Sequence, residues 1–379
     1  MTPDRKSVVR IRVPFVDLAP VHAPLSEPLL DELRSLIESG AFSNGPHVAA
    51  FETSFAAYIG TDCCVGVASG LDALRLALLA LEPRPGDEVL VPANTFVATF
   101  EAVVQAGAVP VPVDVSEADY EIDVDAAEAS IGARTIAILP VHLYGQMADM
   151  QRLGELCRRR GLALIEDACQ AHGADRDGLR AGSAGTAAAF SFYPAKNLGA
   201  MGDAGAVTTD DASIAEHVRL LREHGQTSKY DHRLPGYTAR LDTLQALVLL
   251  RKLPLLDDWN AERRRVAAAY AEGLTGVGDL RLQPVPAGSN PVWHLFVVRT
   301  AALAELQDHL ADRGIATGRH YPQPPHRSEA FAGLGHPEGA FPVTEALAGE
   351  LLSLPIYPGI GDSRLDEVIA AVKTFFGDA

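Results

Sequence analysis

The sequence predicts an α/β protein built on a mostly parallel sheet, and three observations carry that prediction. Between residues 60 and 210, short β-rich runs alternate with helical patterns, the order expected of strands joined by crossover helices. The run Leu162-Ala-Leu-Ile165 is apolar and leads into Asp167, as in a buried parallel strand with its acid at the carboxyl end. Beyond 276–288, a stretch rich in Gly and Pro, the alternation stops and a different pattern begins.

Taken in order, Val65-Gly-Val67 predicts a strand that feeds a helix over 71–81. A strand at 88–91 leads into a helix at 96–105, and one at 109–113 precedes a helix near 123–130. A strand over 135–141 then precedes a helix at 150–160. Pro85-Gly86 and Gly107 punctuate these connections. Residues 212–222, 241–253 and 262–274 read as helices, with Gly225 and Pro254 as breaks. After the loop, 293–299 reads as a strand, 302–313 as a helix, and 320–325 as a proline-rich loop. The division expected is a large domain over 1–264 and a smaller α+β domain over 265–379.

At 379 residues the chain is long for one domain, which supports that division. Hydrophobic residues at 47% and charged residues at 21% are the balance of a soluble protein with a real core. A net charge of −17 argues against nucleic acid or an anionic membrane as partner, since either needs a basic face. It leaves room for an anionic small substrate held in a cleft by local arginines and backbone N–H groups. Cys63, Cys64, Cys157 and Cys169 lack metal-site or disulfide spacing, so buried thiols in a reducing compartment are expected, and no metal site. Asp4, Arg5, Lys6 and Arg10 interrupt any signal-peptide core near the start. No apolar run reaches the ~20 residues of a membrane span. A cytoplasmic protein is the expectation.

Two runs concentrate the chemistry. The first is Ile165-Glu-Asp-Ala-Cys-Gln-Ala-His172. The second is Phe190-Ser-Phe-Tyr-Pro-Ala-Lys-Asn-Leu-Gly-Ala-Met-Gly-Asp-Ala-Gly205. Lys196 is set among apolar, aromatic and glycine residues, an odd place for a solvated charge. An amine there should lose proton affinity by desolvation, as an amine that condenses with an aldehyde must. A carboxylate at a strand end is the other group that a pyridoxal phosphate enzyme needs, to pair with the protonated ring nitrogen.

Both runs resemble the DegT/StrS-like family of nucleotide-sugar aminotransferases, whose patterns are E-D-x-A-Q-x-x-G and S-F-x-x-x-K-N-L-x-x-x-G-x-G-G. The likeness continues through Phe15-Val-Asp-Leu18, Gly45-Pro46, Pro85-Gly-Asp-Glu88 and Val141-His-Leu-Tyr-Gly-Gln146. It also takes in Arg240-Leu-Asp242, Trp293-His294, His320-Tyr-Pro322 and Ser353-Leu-Pro355, so it covers almost the whole chain. The resemblance implies a fold-type I pyridoxal phosphate-dependent transferase, with the cofactor alternating between pyridoxal and pyridoxamine phosphate.

Carried over residue by residue, the resemblance makes Lys196 the lysine that holds the cofactor and moves the proton. Asp167 becomes the partner of the pyridine nitrogen, although an N-cap role is the competing reading. Gln170 falls where the ring hydroxyl is contacted, and a structural role for His172 is at least as good as a functional one. The phosphate is expected where Ala68-Ser69-Gly70-Leu71-Asp72 opens a helix, because a helix N-terminus offers N–H groups and a favourable dipole. Leu71 stands where many relatives have Thr, so the N–H groups of Leu71 and Asp72 would serve. Ser191 would add a hydroxyl. Phe96 would stack on the ring, with a core phenylalanine as the alternative.

Thr238 stands where relatives carry an Asn that reaches the phosphate of the neighbouring subunit, and it keeps a hydroxyl but no amide. Arg240 would bind anionic substrate or brace the interface of a homodimer. Gly70-Leu-Asp-Ala-Leu74 resembles the branch that aminates C-3 of dTDP-linked keto-6-deoxy sugars, with L-glutamate as donor. Tyr193, His320 and Tyr321 fall at positions that branch uses around the sugar, and a solvated loop explains the last two almost as well. A C-4 aminotransferase, a sugar dehydratase of the same fold and a cofactor-binding regulator are the alternatives.

Overall fold

A computed structural model describes residues 10–378, so the reading of Asp4, Arg5 and Lys6 lies outside the described residues. Its centre is a seven-stranded sheet. The strands are β1 (Cys63–Val67), β2 (Glu88–Pro92), β3 (Val109–Val113), β4 (Thr135–Ile138), β5 (Ala163–Asp167), β6 (Ala187–Ser191) and β7 (Gly205–Thr209). Their spatial order is β1-β7-β6-β5-β4-β2-β3. Only β7 runs antiparallel to its neighbours. The cause is the connection before it. Parallel neighbours need a crossover element, whereas residues 192–204 form a helix-free loop that turns the chain straight back. That loop carries Lys196 and leaves it at the carboxyl end of β6.

The sequence pattern did not reveal β6 and β7. Ala187-Ala-Ala189 has weak strand propensity, and its small side chains instead allow a helix to press on the sheet. That helix is α3 (Gly70–Leu79), among α1 (Ser26–Ser39), α2 (Pro46–Ile59), α4 (Val97–Gln105), α5 (Val124–Ser130) and α6 (Met150–Arg160). Next come α7 (Ala212–Arg222), α8 (Thr243–Lys252) and α9 (Leu256–Leu274). The expected break at Pro254 is a 3₁₀ turn, Leu253–Leu255, that delivers the chain directly into α9, so this helix starts earlier than expected. Proline suits such a first turn because its missing N–H would have no acceptor there.

The C-terminal part holds a three-stranded sheet of β8 (Arg281–Leu282), β9 (Phe296–Arg299) and β10 (Leu351–Leu354), with β9 in the middle. The helices α10 (Leu303–Asp312), α11 (Pro342–Glu350) and α12 (Asp362–Phe376) complete it. The strand expected from Trp293 begins only at Phe296, since Trp293 takes a positive φ of 48° that no strand accommodates. Separate apolar cores fill the two faces of the large sheet, and a third joins Val13, Val266, Tyr270, Leu274, Phe296 and Leu354. Leu256 at the start of α9 belongs to the first core and Val266 to the third. The division expected at 264/265 therefore passes through one continuous helix. Among the described residues no helix is long and apolar enough to cross a membrane.

The cysteines are all unpaired, but they are not uniformly buried as the composition suggested: Cys63 and Cys169 are half-buried. Three glycines of the lysine loop are fixed by close approach. A Cβ on Gly199 would lie 2.2 Å from the Pro194 carbonyl oxygen, and one on Gly202 would lie 2.8 Å from Gln245 Nε2. On Gly205 it would lie 2.2 Å from the Ser69 carbonyl oxygen, which faces it across the sheet end. Gly205→Ala should therefore cost about 2–3 kcal/mol in denaturant unfolding. Gly349→Ala, in α11 with nothing within 4 Å of a new Cβ, should be neutral or slightly stabilising. Equal effects for the two would contradict the packing argument.

Candidate active site

A cavity of about 450 Å³ opens at the carboxyl ends of β5 and β6. Lys196 and Asp167 both line it, together with Gly70, Leu71, Phe96, Gln170, Ser191, Tyr193, His320 and Tyr321. Ten of the positions singled out from sequence thus converge on one space. Lys196 is half-buried, with its open side toward the cavity. Its N–H donates to the Tyr193 carbonyl at 2.8 Å, and Ala200 N–H donates to the Phe192 carbonyl at 2.7 Å, which closes the loop around it. Next in sequence, Asn197 donates through Nδ2 to Asn260 Oδ1 at 2.8 Å and to the Val292 carbonyl at 2.9 Å. Asn197 therefore ties the lysine to α9 and to the segment before β9.

Desolvation pushes the Lys196 amine below the ordinary lysine range, while Cys169 and Asp167 pull the other way. The Asp167 carboxylate is buried and accepts from Thr99 Oγ1 at 2.9 Å and from Cys169 N–H at 3.2 Å. No helix follows Asp167, so the N-cap reading fails and its bond to Cys169 belongs to a turn. That bond occupies one lone pair of Oδ1 and leaves others for a cationic donor in the cavity. Its neighbour Glu166 points to the opposite face, as strand alternation requires. There it accepts from the N–H groups of Gly182, Ala184 and Gly185 at 2.7–2.8 Å. His142 accepts from Ala148 N–H at Nδ1, so its Nε2–H donates to Glu166, at 2.8 Å. This saturated pair fastens the Val141–Gln146 loop beside the end of β5.

At the start of α3, Ser69 Oγ accepts from Asp72 N–H at 3.0 Å. That corrects the expectation for Asp72. Its N–H is spent on the cap, its carboxylate pairs with Arg75, and it does not line the cavity. Gly70 and Leu71 remain, and their N–H groups have no acceptor inside the helix. A Cβ on Gly70 would sit 2.6 Å from Ser191 Cβ, so only glycine lets the helix end and the serine meet.

Phe96 is not a core residue: it is 49% exposed, and its ring lies 5.2 Å from that of Tyr321. Gln170 accepts from Tyr144 N–H at 2.8 Å and donates to the Tyr321 hydroxyl at 3.1 Å. His320 is bonded through Nδ1 to Ser353 Oγ at 2.8 Å and is lowered to about 4 by burial and by Lys196. His172 lies outside the cavity, fully buried against Phe190 and Phe192, and burial followed by Lys196 lowers it to about 3. Thr238 and Arg240 also lie away from their own cavity. Thr238 Oγ1 meets His224 Nε2 at 3.1 Å, and Arg240 pairs with Glu223 at 2.9 Å.

Sequence reasoning gave no role to three groups that shape the site. Thr99, three residues beyond Phe96, orients Asp167. His294 lines the cavity and meets Asn197 Oδ1 at 3.2 Å. Arg263 also lines it and caps the carbonyls of Trp293, His294 and Ile356 at 3.1–3.3 Å. The Trp293-His294 pair was a signal for the second of these, whereas nothing marked an arginine inside a helix.

A family model for the DegT/DnrJ/EryC1/StrS aminotransferase family matches residues 25–373. The chain belongs to that family. Over 362 residues it is 48% identical to the dTDP-3-amino-3,4,6-trideoxy-alpha-D-glucose transaminase of Streptomyces venezuelae, covering 96% of each chain. It is 50% identical over 361 residues to the erythromycin biosynthesis sensory transduction protein EryC1 of Saccharopolyspora erythraea, covering 95% of this chain and 99% of that one. The crystal structure of S. venezuelae DesV in complex with a ketimine intermediate superposes with a TM-score of 0.94 at 48% identity, over 96% of this chain and 98% of that one. The fold expected from the resemblance is the fold observed, and membership makes the chain an aminotransferase.

Proposed function

We propose that the protein moves an amino group from L-glutamate to C-3 of a dTDP-linked 3-keto-6-deoxyhexose, using pyridoxal 5′-phosphate held at Lys196. The observation that carries this is Lys196 and Asp167 facing one cavity, with the open start of α3 and Ser191 beside them. The residues present fit the cofactor. An anion suits the Gly70 and Leu71 N–H groups and the Ser191 hydroxyl, an aromatic ring suits Phe96, and a protonated ring nitrogen suits Asp167. When bound, the cofactor supplies the electron sink that amino transfer requires.

The chain's own residues do the rest. Burial lowers the proton affinity of the Lys196 amine, which suits it to take a proton and return it at the substrate carbon. Asp167 would keep the ring nitrogen protonated, and the Gln170 amide, set between Tyr144 and Tyr321, would face the ring hydroxyl. Tyr193, His320 and Tyr321 form the sugar side, where an uncharged His320 offers hydrogen bonds without repelling a cationic amine. The C-3 position follows the S. venezuelae transaminase, whose product carries its amino group there.

The working unit in this reading is a homodimer. Ile37, Phe42, Met201 and Leu244 are 41–60% exposed, and they gather around α8 beside the lysine loop. Thr238 and Arg240, turned from their own cavity, would then reach toward the partner's.

Incubation with glutamate and separate 3-keto and 4-keto dTDP sugars, read by product NMR, tests the reaction. Amination at C-3 with release of 2-oxoglutarate is expected, and Lys196→Ala should lose at least about 10³-fold in turnover while staying folded. Amination solely at C-4 would overturn the regiochemistry, and turnover by the lysine variant would overturn the site. For the dimer, mixing Lys196→Ala with Arg240→Ala subunits should restore activity through the one hybrid site without a lesion. Heterodimers that form yet stay inactive would refute the shared site.

A further inference from the structure

We propose that Lys252 and His22 are positioning residues, a clip that fixes the lysine loop and the N-terminal wall of the cavity to each other. Lys252 closes α8 and is 2% exposed. Among the described residues no carboxylate contributes to its setting. Burial alone lowers it, to about 8. Its ammonium donates to the Gly199 carbonyl, three residues beyond Lys196, and reaches His22 Nε2 at 3.3 Å. It also lies 5.6 Å above the Trp259 ring.

The tautomer of His22 follows from its other bond. Nδ1 lies 2.8 Å from the Leu18 carbonyl, so Nδ1 carries the hydrogen and donates, and the Nε2 lone pair is left for the ammonium. Burial and Lys252 both lower His22, which keeps that lone pair available. A narrow space of about 20 Å³ is lined by Lys196 itself together with Val16, Leu18, Lys252 and Trp259. Lys252 therefore borders the catalytic lysine as well as the loop that carries it.

Both ends of the clip are parts of the site. On one end, Gly199 packs under the Pro194 carbonyl, so its own carbonyl direction sets the curl of the loop that aims Lys196. On the other end, Phe15 and Val16 line the cavity, and Phe15 stacks on His320 at 5.6 Å. The single turn Ala19–His22 connects that wall to the clip. A buried ammonium with no carboxylate partner among the described residues is costly to keep, and here it joins the 18–22 segment to the lysine loop. This inference rests on the proposed cofactor for one of its readouts and on nothing but the fold for the other.

The fold readout is hydrogen exchange of the 15–22 and 193–201 amides in protein without added cofactor. The second is the visible absorbance of the cofactor at Lys196, with kcat and KM. Lys252→Met keeps the stem and removes the donor. It should speed exchange in both segments about tenfold, shift the absorbance and lower kcat about tenfold, and Lys252→Arg should restore all three. His22→Leu should speed exchange in 15–22 and leave 193–201 as it was. A Lys252→Met protein with a lower Tm but normal exchange in both segments and normal absorbance would overturn the proposal. Should that variant not fold, normal exchange over 15–22 in His22→Leu would overturn it instead. A failure of the aminotransferase reading would show as no turnover in the unmodified protein and would leave the exchange result intact.

Discussion

The constraint on which the site depends is the carboxyl end of β5, where Glu166 and Asp167 stand side by side and point to opposite faces of the sheet. Strand geometry enforces that division. Glu166 takes three backbone N–H groups and His142, and so binds the Gly182–Gly185 turn and the Val141–Gln146 loop to the strand. Asp167 is consequently held with no freedom to turn away, steadied by Thr99, and presented to the cavity. A buried carboxylate left half-paired would destabilise the sheet end, whereas one fully paired defines it.

Lys196 faces this fixed acid from a loop that is rigid for a different reason. Its conformation comes from close backbone approach at Gly199 and at Gly205 just beyond it, from Gln245 packed on Gly202, and from the Asn197 amide tied to α9. The histidines around the site, His172, His294 and His320, are all pushed below the ordinary histidine range, with burial as the first cause and Lys196 as the second. They contribute shape and hydrogen bonds at neutral pH and add no positive charge. Burial is what lowers the lysine, and Cys169 and Asp167 oppose it.

Much of this was legible in the sequence because it is local. The βα alternation placed the parallel strands, and the two motif runs placed Asp167, Gln170, Ser191 and Lys196, which the fold brings to one cavity. What escaped is what only packing decides. The Ala-rich strand β6 reads as nothing in particular until α3 is laid on it, and β7 is reversed by a loop whose course no periodicity records. Asp72 read as a phosphate donor because a Ser69 cap was taken to be compatible with that role, whereas the cap takes the Asp72 N–H itself. Arg263 and Lys252 were invisible for a related reason: a cation inside an amphipathic helix reads as solvated until the elements that bury it are known.

The central claim is that the fold lowers the proton affinity of one particular amine. It is tested most directly by competitive labelling of lysines with a small acylating reagent across pH in cofactor-free protein, read by mass spectrometry. Lys196 should titrate below the ordinary lysine value of 10.5. A Lys196 profile at or above that value would contradict the account.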